Sequence, residues 1–142
     1  MYRQIKRGFI SLLRQSGQNN DFECQFWHGG NILEISGSMN CLVYLKVSSA
    51  DPRWGVTANR TDELHDSGKK WFLVLLQRSP QTGYFFAVED VERSLSIPKG
   101  ESGYWYRSKD GDYKVGAADT LQFSQPFRSF SEFLNSLLSS CR

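Results

Sequence analysis

One short segment of this chain limits the folds open to it more than any other. Residues 71–76 are all apolar, and the run has the length of a strand rather than of a helix. Strands that are covered on both faces have continuous apolar runs, whereas strands with one solvated face alternate. The segment therefore predicts a central strand in a sheet with both faces covered.

The residues before this strand predict how it joins the sheet. Residues 42–48 have the pattern of a strand, a loop begins at Trp54, and residues 57–66 have the pattern of a short helix capped by Thr57. A strand, a helix and a second strand in this order form a right-handed crossover. We therefore expect residues 71–76 to lie parallel to residues 42–48 in one sheet.

The other segments predict helices, strands and turns around this pair. They are an amphipathic helix, two strands that complete a meander, an antiparallel strand, a helical turn, a hairpin around Asp110-Gly111, and a closing helix behind a capping box of Ser129 and Glu132. In that order they are expected over residues 2–15, 22–28, 32–36, 84–88, 89–93, 104–115 and 130–139. We therefore predict one α/β domain with a central mixed sheet, an α-β-β-β-α-β core over residues 2–88, and a C-terminal extension over residues 89–142.

Composition excludes several classes of protein. A chain of 142 residues that is 39% hydrophobic and 23% charged is expected to fold, and no apolar run reaches the roughly 20 residues that span a bilayer. The first residues lack the apolar block of a signal peptide, so we expect a cytoplasmic protein with no membrane partner. Three cysteines and two histidines are too few for a disulfide framework or a zinc site, so all three thiols are expected to be reduced.

The distribution of charge is more informative than its sum. The net charge of +2 is too small to predict nucleic-acid binding. Residues 1–20, however, contain Arg3, Lys6, Arg7 and Arg14 and no acidic residue. This pattern fits a helix that lies along phosphates, but an ordinary solvated helix face has the same pattern and is the commoner case.

The order of the predicted elements resembles the PD-(D/E)XK, or restriction-endonuclease-like, superfamily over roughly residues 2–88. The resemblance implies hydrolysis of phosphodiester bonds with a divalent metal ion. In that family an acid near the start of the second strand, and an acid and a lysine two residues apart on the third strand, gather the metal and a water. The spacing of two places the acid and the lysine on the same face of their strand.

In this chain the family motif is degenerate. If Lys46 is the family's lysine, then Tyr44 stands where the second acid belongs, and a phenol is a poor ligand for magnesium. The first acid would be Glu34, with Asn31 as an alternative, degenerate aspartate. Asp21 and Glu23 are further candidate carboxylates for this site.

For an active site, the resemblance implies that Glu34 holds Mg²⁺ or Mn²⁺ and that Lys46 positions the attacking water. With Glu34 as the single plausible carboxylate, tight metal binding is not expected, and no other cofactor is implied. We therefore expect little or no phosphodiesterase activity.

Residues around the crossover form a candidate nucleic-acid surface. They are Arg53, Trp54, Asn59, Arg60, Lys69 and Lys70. Cations mixed with an aromatic ring bind single strands by stacking on bases and contacting phosphates. Four acidic residues in the same span cancel the four positive charges, so a solvated loop and helix with Trp54 packed on the sheet is the alternative.

Two functions remain open on this basis. The first is a nucleic-acid-associated, nuclease-like domain with an eroded metal site. The alternative is a non-catalytic protein-interaction or regulatory subunit, in which an aromatic ribbon at Tyr104, Trp105 and Tyr106 and the closing helix contact a protein partner. The sequence leaves the partner and the oligomeric state undetermined.

Overall fold

A computed structural model describes residues 2–87, 89, 106–107, 112–116, 121 and 124–141. Among these residues, three helices and nine strands form. The helices are α1 (Tyr2–Asn20), α2 (Ala58–Asp66) and α3 (Phe130–Cys141). The strands are β1 (Phe22–Phe26), β2 (Ile32–Gly37), β3 (Cys41–Ser48), β4 (Arg53–Thr57), β5 (Trp71–Gln77), β6 (Gly83–Ala87), β7 (Tyr106–Arg107), β8 (Asp112–Gly116) and β9 (Gln125–Phe127).

The central sheet has six strands in the order β1-β2-β3-β5-β6-β9. Strands β3 and β5 are parallel, with Lys46 opposite Leu75, and the other neighbouring pairs are antiparallel. The crossover that the apolar run predicted is therefore confirmed. The fold is the predicted single α/β domain with a mixed sheet and a helix at each end.

Side chains of the central sheet alternate between two cores. Helices α1 and α3 cover one face, on which Leu33 and Phe72 are buried. Helix α2 and strands β4 and β8 cover the other face, on which Tyr44 and Leu73 are buried. Because both faces are covered, every residue of the apolar run in β5 is buried.

The expected loop at Trp54 is wrong, because β4 is a strand. It pairs antiparallel with β8, with Trp54 opposite Val115, and β8 pairs with β7 in a second sheet of order β4-β8-β7. Glycine has a low strand propensity, so Gly55 weakened the strand pattern of this segment. The alternation of Trp54 and Val56, which are both buried, was the available signal.

Helix α1 continues to Asn20 rather than ending near residue 15. Gly17 is buried inside the helix, and a Cβ at this position would overlap the carbonyl oxygen of Phe22. This glycine therefore permits a close approach of β1 and does not end the helix. The helix ends where Asp21 adopts a positive φ of 58°.

Helix α3 begins with the predicted capping box. The backbone N–H of Glu132 donates to Ser129 Oγ at 3.2 Å, and the Glu132 carboxylate accepts from the backbone N–H of Arg128 at 3.4 Å. The short edge strand β9 was not predicted, because Pro126 interrupts its pattern. Proline is tolerated on an edge strand, where a missing N–H costs no ladder bond.

Some expectations fall on residues outside the described part of the chain. These are most of the helical turn at residues 89–93, the turn of the hairpin, and Tyr104 and Trp105 of the aromatic ribbon. Within the described residues, no helix has both the length and the apolar character needed to cross a bilayer.

Candidate nucleic-acid site

The pairing of β2 with β3 determines which predicted site residues meet. Ile32 lies opposite Tyr44, and Glu34 lies opposite Leu42. Glu34 therefore shares a sheet face with Lys46, because direct partners and alternate residues point the same way. Leu42 and Lys46 are four residues apart, which is about 13 Å along a strand. The structure does not bring Glu34 and Lys46 together.

Glu34 contacts a different lysine. Its Oε2 lies 3.0 Å from Lys69 Nζ, at the amino end of β3. Lys70 lies at the same end, because its carbonyl oxygen accepts from the N–H of Leu42 at 2.9 Å, and its Nζ donates to the carbonyl oxygen of Ser140. Two of the six predicted nucleic-acid contacts are therefore engaged by groups of this chain, away from Lys46.

Asn31 lies beside the carboxyl end of β3. Its carbonyl oxygen accepts a hydrogen bond of 2.8 Å from the N–H of Leu45. Its side chain points to the face covered by α1, where Oδ1 accepts a hydrogen bond of 3.1 Å from Lys6 Nζ. Lys46 is on the opposite face, with Tyr44. The Asn31 amide and the Lys46 side chain therefore leave the hairpin on opposite faces.

Tyr44 has a structural partner at the position of the family's second acid. Its side chain is only 1% exposed, and its phenol oxygen accepts a hydrogen bond of 3.1 Å from the backbone N–H of Thr57. Thr57 is the N-cap residue of α2, but its side chain makes no capping bond, contrary to expectation. The phenol thus connects β3 to the start of α2.

Gly29 and Gly30 form the exposed tip of the β1–β2 hairpin, which we call the glycine turn. A Cβ on Gly30 would lie 3.1 Å from Lys6 Nζ, and one on Gly29 would lie 3.1 Å from Arg60 Nη2. Helices α1 and α2 thus each bring a cation to this turn.

The two cations nearest the glycine turn differ in their partners. Arg60 Nη1 lies 3.0 Å from Glu63 Oε2, and both side chains are more than a third exposed. Lys6 has no carboxylate partner in the described part of the chain, and its hydrogen bond goes to a neutral amide. Burial lowers the pKa of Lys6 below its usual value. The α1 side of the turn therefore has a lysine with no carboxylate beside it among the described residues, although burial of that lysine works against its charge.

Comparisons with known proteins show which fold this chain has. No protein-family model and no curated protein matches the chain. Among solved structures it is similar to Hjc, a Holliday junction resolvase from Archaeoglobus fulgidus, with a TM-score of 0.54 and 13% identity. The match covers 92% of this chain and 95% of the resolvase, whose fold is of the PD-(D/E)XK type. This chain has the restriction-endonuclease-like fold.

A divalent metal ion does not fit the place where this fold has its motif. In the part of the sheet around Lys46, the side chains at the candidate acid positions are the amide of Asn31 and the phenol of Tyr44, and the Lys6 ammonium group bonds to that amide. Magnesium prefers carboxylate oxygens, and in the described ranges no group of three or more Asp, Glu, His or Cys is arranged to hold a metal. Glu23, opposite Ser36, and the preceding Asp21 lie at the far end of β2.

The remaining predicted contacts lie on β4 and α2. Arg53 and Asn59 are exposed. Trp54 is 4% exposed, and its Nε1–H donates to the carbonyl oxygen of Leu76 at 3.0 Å. The Trp54 ring belongs to the second core and offers no exposed face to a base, which is the packed alternative that the sequence left open.

An exposed aromatic ring was missed by the sequence reasoning. Phe26 is 48% exposed on the edge strand β1, and the Arg14 guanidinium carbon lies 5.9 Å from the centre of its ring. Arg7, on the same side of α1, lines the groove between them. Alternation puts Phe22 and Phe26 on the same face of β1, but only Phe22 is buried. No local sequence signal distinguishes the two.

Proposed function

We propose that this chain is a DNA-binding domain of the restriction-endonuclease-like fold that does not hydrolyse DNA. One observation carries the proposal. At the carboxyl end of β3, Tyr44 is bonded to Thr57 and Lys46 has no carboxylate two residues before it, while Lys6 and Arg60 lie at the adjacent glycine turn. This arrangement favours anion binding over metal binding.

Hydrolysis is disfavoured because the residues at the motif positions lack the groups that hold a metal ion. Metal-dependent phosphodiester hydrolysis needs a cation that lowers the pKa of a bound water and stabilises the charge on the phosphate. Glu34, the carboxylate expected to hold that cation, is paired with Lys69 about 13 Å away along the sheet. A neutral phenol at Tyr44 and a neutral amide at Asn31 supply no charge to hold a metal there.

DNA binding is favoured by the positive charge of helix α1. Exposed Arg3, Arg7 and Arg14 lie along α1, and Lys6 on the same helix reaches the glycine turn. A basic row of this kind neutralises phosphates and releases counterions. The similar solved structure is named as a Holliday junction resolvase, so branched DNA is the first ligand to test. Such a ligand implies an intracellular place of action.

Fluorescence anisotropy with the full chain tests the proposal. A labelled four-way DNA junction, a duplex and a single strand are titrated between 50 and 200 mM salt, in EDTA and in Mg²⁺ or Mn²⁺. We expect affinity for at least the junction to fall steeply and log-linearly with salt. The same mixtures run on denaturing gels should contain no cleavage products.

Two results would contradict the proposal. The absence of salt-dependent binding to every nucleic acid removes the DNA-binding function. Metal-dependent cleavage that disappears in Lys46→Ala, but persists in the matched Lys69→Ala control, restores the nuclease function. The protein-interaction alternative stays a prediction, because Tyr104 and Trp105 lie outside the described residues.

A further inference from the structure

We propose that Lys6 and Arg60 bind a backbone phosphate of DNA over the glycine turn, and that this contact needs no divalent metal ion. The inference rests on the DNA binding proposed above. The bound group is a phosphate, the residues that bind it are Lys6 and Arg60, and the binding does not depend on metal ions.

Lys6 is held in place for such a contact. Its ammonium group has three N–H donors, of which one is used by Asn31 Oδ1 at 3.1 Å. The same nitrogen lies 3.1 Å from the position of a Cβ on Gly30, so it is directly over the turn. The side chain is half-buried, which fixes its path across α1. The remaining donors are thus available to an oxyanion with little loss of side-chain entropy.

Arg60 approaches the turn from the opposite side. Its Nη1 is bonded to Glu63, which orients the guanidinium plane, while Nη2 is the atom near Gly29. Glu63 opposes an incoming phosphate, but an exposed ion pair of this kind is weak. A phosphate that bonds Nη2 and the Lys6 ammonium therefore adds to this pair rather than requiring its loss.

The glycine turn leaves room for the phosphate. Gly29 and Gly30 are both exposed, and neither has a side chain that would enter the space between the two cations. Gly29 has a positive φ of 66°, so a larger residue there would also strain the backbone. Gly30 has no such constraint, which makes Gly30→Ala a steric test of the same space.

The experiment measures junction binding by anisotropy for the wild type and five variants, one of which is a control. Lys6→Ala removes the ammonium, Lys6→Met removes it but keeps the apolar stem, Lys6→Arg keeps a positive charge, and Gly30→Ala crowds it. Lys69→Ala is the matched control, because it removes the same charge at the amino end of β3. Thermal melts establish that each variant is folded.

We expect wild-type affinity to be the same in EDTA and in Mg²⁺ within about 2-fold, since no metal takes part. Lys6→Ala and Lys6→Met should each lower affinity about 10-fold, as for one lost charge-assisted hydrogen bond. Both should also reduce the slope of log affinity against log salt by about one. Lys6→Arg should recover most of the affinity, and Lys69→Ala should change it by less than about 2-fold.

The outcomes separate this inference from the function on which it rests. If the wild type binds no DNA, the proposed function fails and this inference fails with it. If the wild type binds but Lys6→Met behaves like Lys69→Ala, or if binding requires Mg²⁺, the phosphate contact of Lys6 is overturned while DNA binding stands. Because Lys6→Met and Gly30→Ala perturb the fold differently, misfolding of one leaves the other as a test.

Discussion

The two ends of strand β3 both have lysines near them, but the lysines meet different partners. At the amino end, Lys69 pairs with Glu34 and Lys70 donates to the carbonyl oxygen of Ser140. At the carboxyl end, Lys6 donates to the neutral amide of Asn31 and Lys46 is two residues from the phenol of Tyr44. Among the described residues, Lys69 thus has a carboxylate partner and Lys6 a neutral one, so more of the charge of Lys6 remains to attract an anion.

The register between β2 and β3 also keeps Glu34 from replacing the missing acid of the motif beside Lys46. Glu34 is on the correct face of the sheet, but the register places it beside the amino end of β3. Moving it to the level of Lys46 would require a shift of four residues, which would disrupt the pairs of β2 with both of its neighbours. The carboxylate is therefore fixed at the end of β3 where an ion pair forms.

The largest expected effect comes from reversing charge at one end of β3 and then at the other. The double variant Lys6→Glu with Arg60→Glu should lower junction affinity about 100-fold at low salt, because it replaces two phosphate contacts with repulsion. Lys69→Glu with Lys70→Glu makes the same charge change and should lower it only a few-fold. Equal losses would mean that net charge alone governs binding, and the contrast between the ends would fail.

The next effect concerns the thiols at the amino end. A hydrogen bond from the buried Cys41 lowers the pKa of Cys141, and Lys70 acts in the same direction, whereas burial raises the pKa of Cys24 to about 11. At pH 8 a lower pKa means more thiolate, so iodoacetamide should alkylate Cys141 at least about 10-fold faster than Cys24. Peptide mass spectrometry measures both rates, and equal rates would contradict the assigned hydrogen bond.

A moderate effect is expected at Tyr44. Tyr44→Phe removes the oxygen that accepts from the N–H of Thr57, and the unpaired N–H should lower the free energy of unfolding by about 1–3 kcal/mol. Urea denaturation measures this loss, with the exposed Tyr2→Phe as a control that should change nothing. DNA affinity should be unchanged. A loss of binding without a loss of stability would assign the phenol to the ligand instead.

The smallest effect is expected at Glu34. Glu34→Gln breaks a partly exposed ion pair with Lys69 and should lower stability by about 0.2–1 kcal/mol. The difference should shrink in 1 M salt, because salt screens exposed charges. Denaturation at two salt concentrations checks it. If the variant instead loses a metal-dependent cleavage activity, Glu34 returns to the catalytic role that the family motif implied.

The fold could be inferred from the sequence because its strongest signals are local. The apolar run in β5, the helix before it and the capping box at Ser129 each report on neighbouring residues, and the handedness rule for crossovers joins β3 to β5. The pairing of β4 with β8 could not be predicted, because β8 begins 55 residues after β4 ends. No local pattern reports a pairing at that distance.

The candidate site could be predicted only in part, because its geometry depends on register. The sequence gave Lys46, Tyr44 and Arg60 as candidates, but not which residues of β2 lie beside β3 at each level. It also gave no indication that the basic first helix directs Lys6 onto the glycine turn. That contact depends on how α1 packs against the sheet.

The buried Gly17 affects the position of Lys6, although the two residues lie far apart along α1. It is the point of closest contact between α1 and the chain that follows, since Phe22 passes where a side chain would be. Lys6 is eleven residues earlier on the same helix, about three helical turns away. A methyl group added at position 17 would collide with the Phe22 carbonyl oxygen, so α1 would have to move away from β1, and the position of the Lys6 ammonium group over the glycine turn would change with it.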